Sequence, residues 1–351
     1  MSSILEKARG HFKENLPFVM YCKPGAEVVI GLFQKNDSLY LLSDEYSGFA
    51  FVSFDNEKRF IIPDSFSDIY YEKTSGIDLY VLIENDSNYS NSDKNEFVEL
   101  VEKAVVEIEK GTFEKVVLSR KEVVASLNFE FDVLFSKILV TYPSAFRYVL
   151  YHPELGFWMG ATPEKLVKVE GDLLSTVSLA GTQLNREGAD IIWNEKEKQE
   201  QQIVTDYIVS NLKPFSEQID VDEPKTVKAG NLVHIKSDIK AQIQIENLDK
   251  IIEALQPTPA VCGFPKEAAL QFIVENEGYD RSFYAGFLGE WKKDFKTFKE
   301  NRFDLYVNLR CLSYVNQELH VYVGCGITKE SIPEKEYIET VNKAMTMKRI
   351  V

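Results

Sequence analysis

Two stretches of the chain carry carboxylates at a spacing that could hold a cation. Near the carboxyl end, the residues from Pro333 onward read as a helix on which Glu336, Glu339 and Lys343 stand at i, i+3 and i+7, so two carboxylates and an ammonium share one face. Glu197 and Glu200 repeat the i, i+3 pair, and Ile203, Val204, Tyr207, Ile208 and Leu212 follow at helical spacing. Taken alone, each pair is also what a solvated acidic face presents. Taken together, two helices with a pair each can make an all-oxygen site of the kind Mg2+ occupies, its open positions meeting an anionic substrate. Lys115 is an ammonium in a β-branched run, Glu114-Lys115-Val116-Val117-Leu118-Ser119-Arg120. On an exposed strand edge it faces solvent; buried, it becomes a candidate general base, because desolvation disfavours its charged form. Glu164, in Gly160-Ala161-Thr162-Pro163-Glu164-Lys165-Leu166, follows a turn at the end of an apolar strand. Exposed, it is a turn carboxylate; buried, it would hold a proton and could act as a general acid. A base and an acid brought from separate elements to opposite sides of a substrate can exchange one hydroxyl for another across a ring.

The elements that must position these groups are legible as short runs between turn residues. Residues 1 to about 90 read as β-rich, with strands at Phe18 to Cys22, Glu27 to Phe33, Ser38 to Leu42 and Gly48 to Phe54. The polar stretch Asn85 to Asn95 leads into a helix with Asp93 and Glu96 spaced as a capping box and Gly111 as its stop. Strands are expected at Glu114 to Val124, Ala145 to Tyr151 and Phe157 to Ala161, then a hairpin of Leu166 to Val169 with Leu173 to Ser178. A helix from about 195 to 212 has Asn194 as N-cap with Glu197 at N3. Beyond it come a strand at His234 to Ile245, helices from Leu248 and from Pro265 to Glu275, and strands at Phe283 to Trp291, Phe303 to Leu312 and Leu319 to Ile327. The two glycines Gly324 and Gly326 imply that this last strand comes close to something. Ser331 and Glu334 are spaced as a capping box for the final helix, with Pro333 in its first turn. The sum is an α+β protein, one large domain of extensive, mainly antiparallel sheets flanked by helices, with residues 1–94 as the β-rich amino-terminal part.

Composition narrows the partners. A formal net charge of −15 over 351 residues argues against nucleic acid or an anionic membrane surface. It also means that an anionic substrate needs locally concentrated positive charge. Cys22, Cys262, Cys311 and Cys325 form no CxxC pair and lie in or beside apolar segments, as expected for reduced thiols in a cytoplasmic protein. The first residues lack the apolar core of a signal peptide, and no run approaches the ~20 apolar residues of a membrane span.

Several ordered motifs go further. Lys115 to Arg120, Gly160 to Leu166, Ala180-Gly181-Thr182, Glu197-x-x-Glu200, Pro257 to Gly263, Asp280-Arg281-x-x-Tyr284-Ala285-Gly286, and Gly324-Cys325-Gly326-Ile327 with Glu336-x-x-Glu339-Thr340 resemble, in this order, the chorismate-utilising enzymes, and most of all the isochorismate synthases among them. The resemblance covers about 250 residues from 95 to the carboxyl end, making 95–351 the chorismate-binding catalytic core. It implies that fold, chorismate as small-molecule substrate, Mg2+ as cofactor and a monomer. Lys115 would activate water for attack at C2, and Glu164 would protonate the departing C4 hydroxyl. Glu200 and Glu339 would ligate the metal, with Glu197 and Glu336 holding its waters. Arg310 and Tyr284 would bind the pyruvyl carboxylate, with the Gly324 N–H and Lys343 close by. Gly181 and Thr182 would form the loop under the ring, and His234 would lie near the ring carboxylate unless it is simply a hydrogen-bonded strand histidine. Lys115, Ala180 and Ala260 stand where ammonia-using relatives carry other residues, which favours water as nucleophile and isochorismate as product, for menaquinone or siderophore biosynthesis. Gln201, Gln256 and Ser282 depart from the family pattern of histidine, histidine and glycine. A salicylate synthase, which goes on to expel pyruvate, shares most of these motifs, and a catalytically silent chorismate-binding protein remains an alternative of another class.

Overall fold

The computed structural model describes residues 3–77, 93–126, 129–184, 191–229 and 232–351; Asn85 to Ser92 of the expected polar stretch lie outside them. The expected antiparallel sheets are present, and all described pairings within them are antiparallel. One sheet of nine strands runs in the spatial order Gly263–Phe264, Lys115–Ala125, Glu318–Ile327, Cys311–Val315, Gly156–Thr162, Phe146–His152, Phe18–Cys22, Val28–Gln34 and Ser67–Lys73. A second runs Ile219–Val221, Leu232–Gln242, Leu173–Leu184, Lys165–Glu170, Arg302–Val307, Phe287–Trp291, Gly48–Val52, Arg59–Pro63 and Tyr40–Leu41. Strands from the first 77 residues thus extend both sheets.

Alternation along the strands explains how two cores are built from one sequence. In Phe18–Cys22 every residue is buried. Val19 and Tyr21 join a core to which both sheets contribute, with Phe49, Phe51, Leu118, Tyr148 and Leu305. Phe18, Met20 and Cys22 point to the other face, into a second cluster with Phe135, Ile138 and Leu139 of the helix Phe131–Thr141 and Ile4, Leu5 and Ala8 of the helix Ile4–Lys13. A strand covered on both faces reads as a continuous apolar run. The amino-terminal helix is absent from the sequence expectation, although Ser3 and Glu6 form a reciprocal capping box.

Other departures have local causes. The run Phe303 to Leu312 is two strands, Arg302–Val307 in the second sheet and Cys311–Val315 in the first, broken at Arg310, whose φ is +48°. Phe283 to Gly286 is a turn, and the strand begins at Phe287. The capping boxes expected at Asp93 and Ser331 do not form. Asp93 instead accepts from Arg120 Nη1 at 2.7 Å, and the Ser331 hydroxyl accepts the Thr328 N–H at 3.1 Å, leaving Ile332 as the N-cap of Pro333–Lys348. In both cases a more buried partner outcompetes the local helix end.

Candidate active site

The acidic and basic candidates come from the places where the chain passes between the sheets. Pro163 and Glu164 link Gly156–Thr162 of the first sheet to Lys165–Glu170 of the second, and the Glu164 carbonyl accepts the Val307 N–H at 3.0 Å. Arg310 sits at the return crossing, with its carbonyl accepting from the Ala161 N–H at 3.0 Å. The crossings therefore lie side by side. Glu164 and Arg310 line one cavity of about 70 Å³ together with Gly181, Thr182, Glu200 and His234. Ala260, Tyr284, Gly324 and Lys343 complete its wall. A larger cavity of about 460 Å³ adjoins it at Pro163, Leu179, His234 and Arg310, and Lys165, Lys236 and Lys240 line its far side.

Burial sets the chemistry of these groups. Glu164 is 7 % exposed, and loss of water pushes its carboxyl up to about 7, against the opposing pull of Lys115, Arg310 and Lys343. Lys115, first residue of its strand, is fully buried, and its Nζ lies 2.9 Å from Glu200 Oε1. Burial pushes the Glu200 carboxyl upward, and the ammonium groups of Lys115, Lys196 and Lys343 together more than reverse this, leaving it below the usual range. Arg310 makes no ion pair among the described residues, and burial lowers its affinity for its proton while Glu339 and Glu164 act the other way. Tyr284 is buried and stacks on Tyr322 with centroids 5.5 Å apart. His234 donates from Nδ1 to the Gly181 carbonyl at 2.9 Å, with the Thr182 hydroxyl at 3.3 Å; its Nε2 is buried without a partner among the described residues. Burial first, then Arg310, lowers its pKa to about 3, so the ring is neutral and this tautomer leaves Nε2 as an acceptor.

Backbone approach accounts for two of the glycines. A Cβ on Gly326 would lie 2.3 Å from Glu200 Oε1 and 3.1 Å from Lys115 Cε, so the expected close neighbour of this strand is the Lys115–Glu200 pair itself. Gly181 has φ +68° at a register shift in the pairing of Leu173–Leu184 with Leu232–Gln242, and this turns its carbonyl toward His234.

The four candidate metal carboxylates come from two helices, Glu195–Leu212 and Pro333–Lys348: Glu336 is raised by burial and by Glu339 of its own helix, and Lys196 lies in the field of Glu336, Glu200 and Glu339. They do not converge as an open cluster. Lys196 Nζ is 2.5 Å from Glu336 Oε1, Lys343 Nζ is 2.7 Å from Glu339 Oε1 and 2.9 Å from the Gly324 carbonyl, and Glu197 caps its own helix at the Asn194 N–H, 3.0 Å away. Among the described residues no three acidic, histidine or cysteine groups surround a common point. The donor set nonetheless fits a hard divalent cation: it is all oxygen, it spans two helices, and ammonium groups already stand as cations against three of its members.

Two supports escaped the sequence reading. Lys196 was legible as an i, i+4 partner of Glu200 on the same helix face. Arg281 and Glu277 form a buried pair that ties the strand Lys115–Ala125 to the loop carrying Ala260: Arg281 donates to the carbonyls of Val117 at 2.6 Å and Val261 at 2.9 Å, and Glu277 accepts the Ser119 N–H at 2.7 Å. Of the departures from the family pattern, Gln201 is buried and bonded to Ser178, Thr205 and Ser237, Gln256 reaches the Phe54 carbonyl, and Ser282 occupies a left-handed conformation, φ +51°, that explains a preference for glycine.

Comparison with known proteins gives the family of the chain. The salicylate biosynthesis isochorismate synthase of Pseudomonas aeruginosa is 30% identical over 269 residues, 74% of this chain and 55% of that protein. The isochorismate synthase EntC of Escherichia coli (strain K12) is 29% identical over 263 residues, 72% of this chain and 66% of EntC. The matched part thus spans between about half and two thirds of these relatives. Among solved structures, DhbC from Bacillus anthracis superposes with a TM-score of 0.79 over 99% of both chains at 21% identity. MenF, the menaquinone-specific isochorismate synthase from Escherichia coli, does so with 0.78 over 95% of this chain and 88% of that one at 20% identity. The family described as chorismate binding enzyme matches residues 77–351, and the chain belongs to it.

Proposed function

We propose that this chain converts chorismate to isochorismate in the presence of Mg2+, by addition of water at C2 and loss of the C4 hydroxyl. The observation that carries this reading is Glu164: a buried carboxylic acid with a pKa of about 7, in the field of a buried lysine and an arginine that has no ion-pair partner among the described residues. Such an acid is half protonated near neutrality and can donate to a departing hydroxyl. Lys115, from the first strand of the catalytic core, is the candidate base that takes a proton from the attacking water. A base needs a free lone pair, so this role requires the Nζ beside Glu200 to be an amine rather than an ammonium when water attacks. Arg310 offers a planar guanidinium to one substrate carboxylate, and Tyr284 a buried hydroxyl beside it. The lysines of the adjoining cavity and Arg310 supply the local positive charge that a protein of net charge −15 needs to accept a dicarboxylate. Glu200 and Glu339 would hold Mg2+, with Glu197 and Glu336 behind them. Bound there, the ion supplies positive charge for the ring carboxylate.

Incubation of the purified chain with chorismate and Mg2+, with isochorismate, salicylate and pyruvate resolved, tests the reading. Isochorismate without pyruvate supports it. Salicylate with equimolar pyruvate makes the chain a salicylate synthase, and unchanged chorismate makes it a silent binder.

A further inference from the structure

Three carboxylates and three ammonium groups are paired one to one where the cation would bind: Lys115 with Glu200 at 2.9 Å, Lys196 with Glu336 at 2.5 Å and Lys343 with Glu339 at 2.7 Å. Lys115 also packs against the backbone at Gly326, and Lys343 also holds the Gly324 carbonyl at 2.9 Å. Lys196 differs: among the described residues its one hydrogen-bonding partner is Glu336, which belongs to the other helix. Its side chain is 24% exposed and that of Glu336 is 4%, so the ammonium stands on the solvent side of the carboxylate it holds. A carboxylate this deep costs stability if left uncompensated. An ammonium compensates it as a point charge on a flexible stem, without the directional fit that a guanidinium would impose.

We propose that Lys196 is the chain's own stand-in for the divalent cation, holding Glu336 and bridging the two helices in the metal-free protein and leaving to solvent when Glu336 turns to the metal. The inference rests on the reading of Glu200, Glu336 and Glu339 as the cation's ligands and second-layer acids. It makes Lys196 a competitor of the metal, whereas a lysine that merely held Glu336 in its binding orientation would be an ally. The two roles predict opposite signs on removal.

The experiment uses the full chain and Mn2+ as a paramagnetic probe, with free Mn2+ counted by electron paramagnetic resonance and thermal unfolding followed in EDTA and in saturating Mn2+. Lys196→Met is expected to bind Mn2+ about tenfold more tightly than the wild type, the order of one coupled charge pair. Its melting temperature should fall in EDTA and recover with Mn2+. Lys196→Arg, which keeps the charge and grips Glu336 with a fork, is expected to bind Mn2+ more weakly and covers the case in which the methionine variant does not fold. Unchanged or weaker Mn2+ binding by Lys196→Met, or unchanged binding by the arginine variant, overturns the proposal. Glu200→Gln and Glu336→Gln separate the levels: if both bind Mn2+ as the wild type does, the ligand reading fails, and the role of Lys196 fails with it.

Discussion

Replacing Glu164 by glutamine should make the protein more stable at alkaline pH while removing its proposed acid. The folded-state carboxyl has a pKa of about 7 against an ordinary 4.5, so between these values the native chain holds a proton that the unfolded chain has released. Stability therefore falls as pH rises through this window, by about 1.4 kcal/mol per unit, or about 3 kcal/mol in all. Below pH 4.5 both states are protonated and the penalty is absent; above pH 7 it is complete. Glutamine has the shape of the protonated acid and never ionises, so the stability of Glu164→Gln minus that of the wild type should be near zero at pH 4 and rise to about 3 kcal/mol at pH 8. Urea unfolding of both proteins in EDTA, at intervals from pH 4 to 8, measures this difference, and other titrating groups cancel to the extent that the two proteins share them. A difference that stays flat across the window, or falls with pH, refutes the claim that Glu164 is held protonated by burial. The same group should set the alkaline limb of kcat/KM for the wild type, with activity declining above about pH 7 as the proton is lost.

Lys115→Met should lower kcat by a factor on the order of a hundred to ten thousand with far-ultraviolet circular dichroism unchanged; near-normal turnover rejects its role as base. Gly326→Ala places a methyl group where Glu200 Oε1 and Lys115 Cε lie, so kcat/KM should fall about a hundredfold while the fold persists, and wild-type rates would show that this pair can move without consequence. Arg310→Ala removes a guanidinium that has no ion-pair partner among the described residues and should raise KM for chorismate by roughly ten- to a hundredfold, read from initial rates; an unchanged KM removes it from substrate binding. Chelation with EDTA should stop turnover and added Mg2+ restore it, and activity that survives thorough chelation takes the cation out of the account.

What the sequence made legible follows from how local each feature is. The strand and helix carrying Lys115 and Glu200, and the paired carboxylates on both helices, could be read because period and capping are short-range properties: the Asn194–Glu197 capping box forms as its spacing implies. The Ser331 and Asp93 boxes have the same spacing but fail, because each side chain has a competitor far away in sequence or in a neighbouring turn. The break at Arg310 was invisible for a related reason. Nothing in Tyr306 to Leu312 opposes one continuous strand; the left-handed residue is imposed by the need to pass from one sheet to the other beside Glu164. The charges of the site were named residue by residue, but their pairing was not. Sequence spacing joins Glu336 to Glu339, whereas the fold gives Glu336 to Lys196, 140 residues away. In an acidic chain, carboxylates brought together by two helices must find positive charge, and the lysines needed for this come from whichever elements topology places nearest. That requirement is why Glu200, Glu336 and Glu339 stand in closed ion pairs with Lys115, Lys196 and Lys343, and why the proposed cation would have to compete with these ammonium groups.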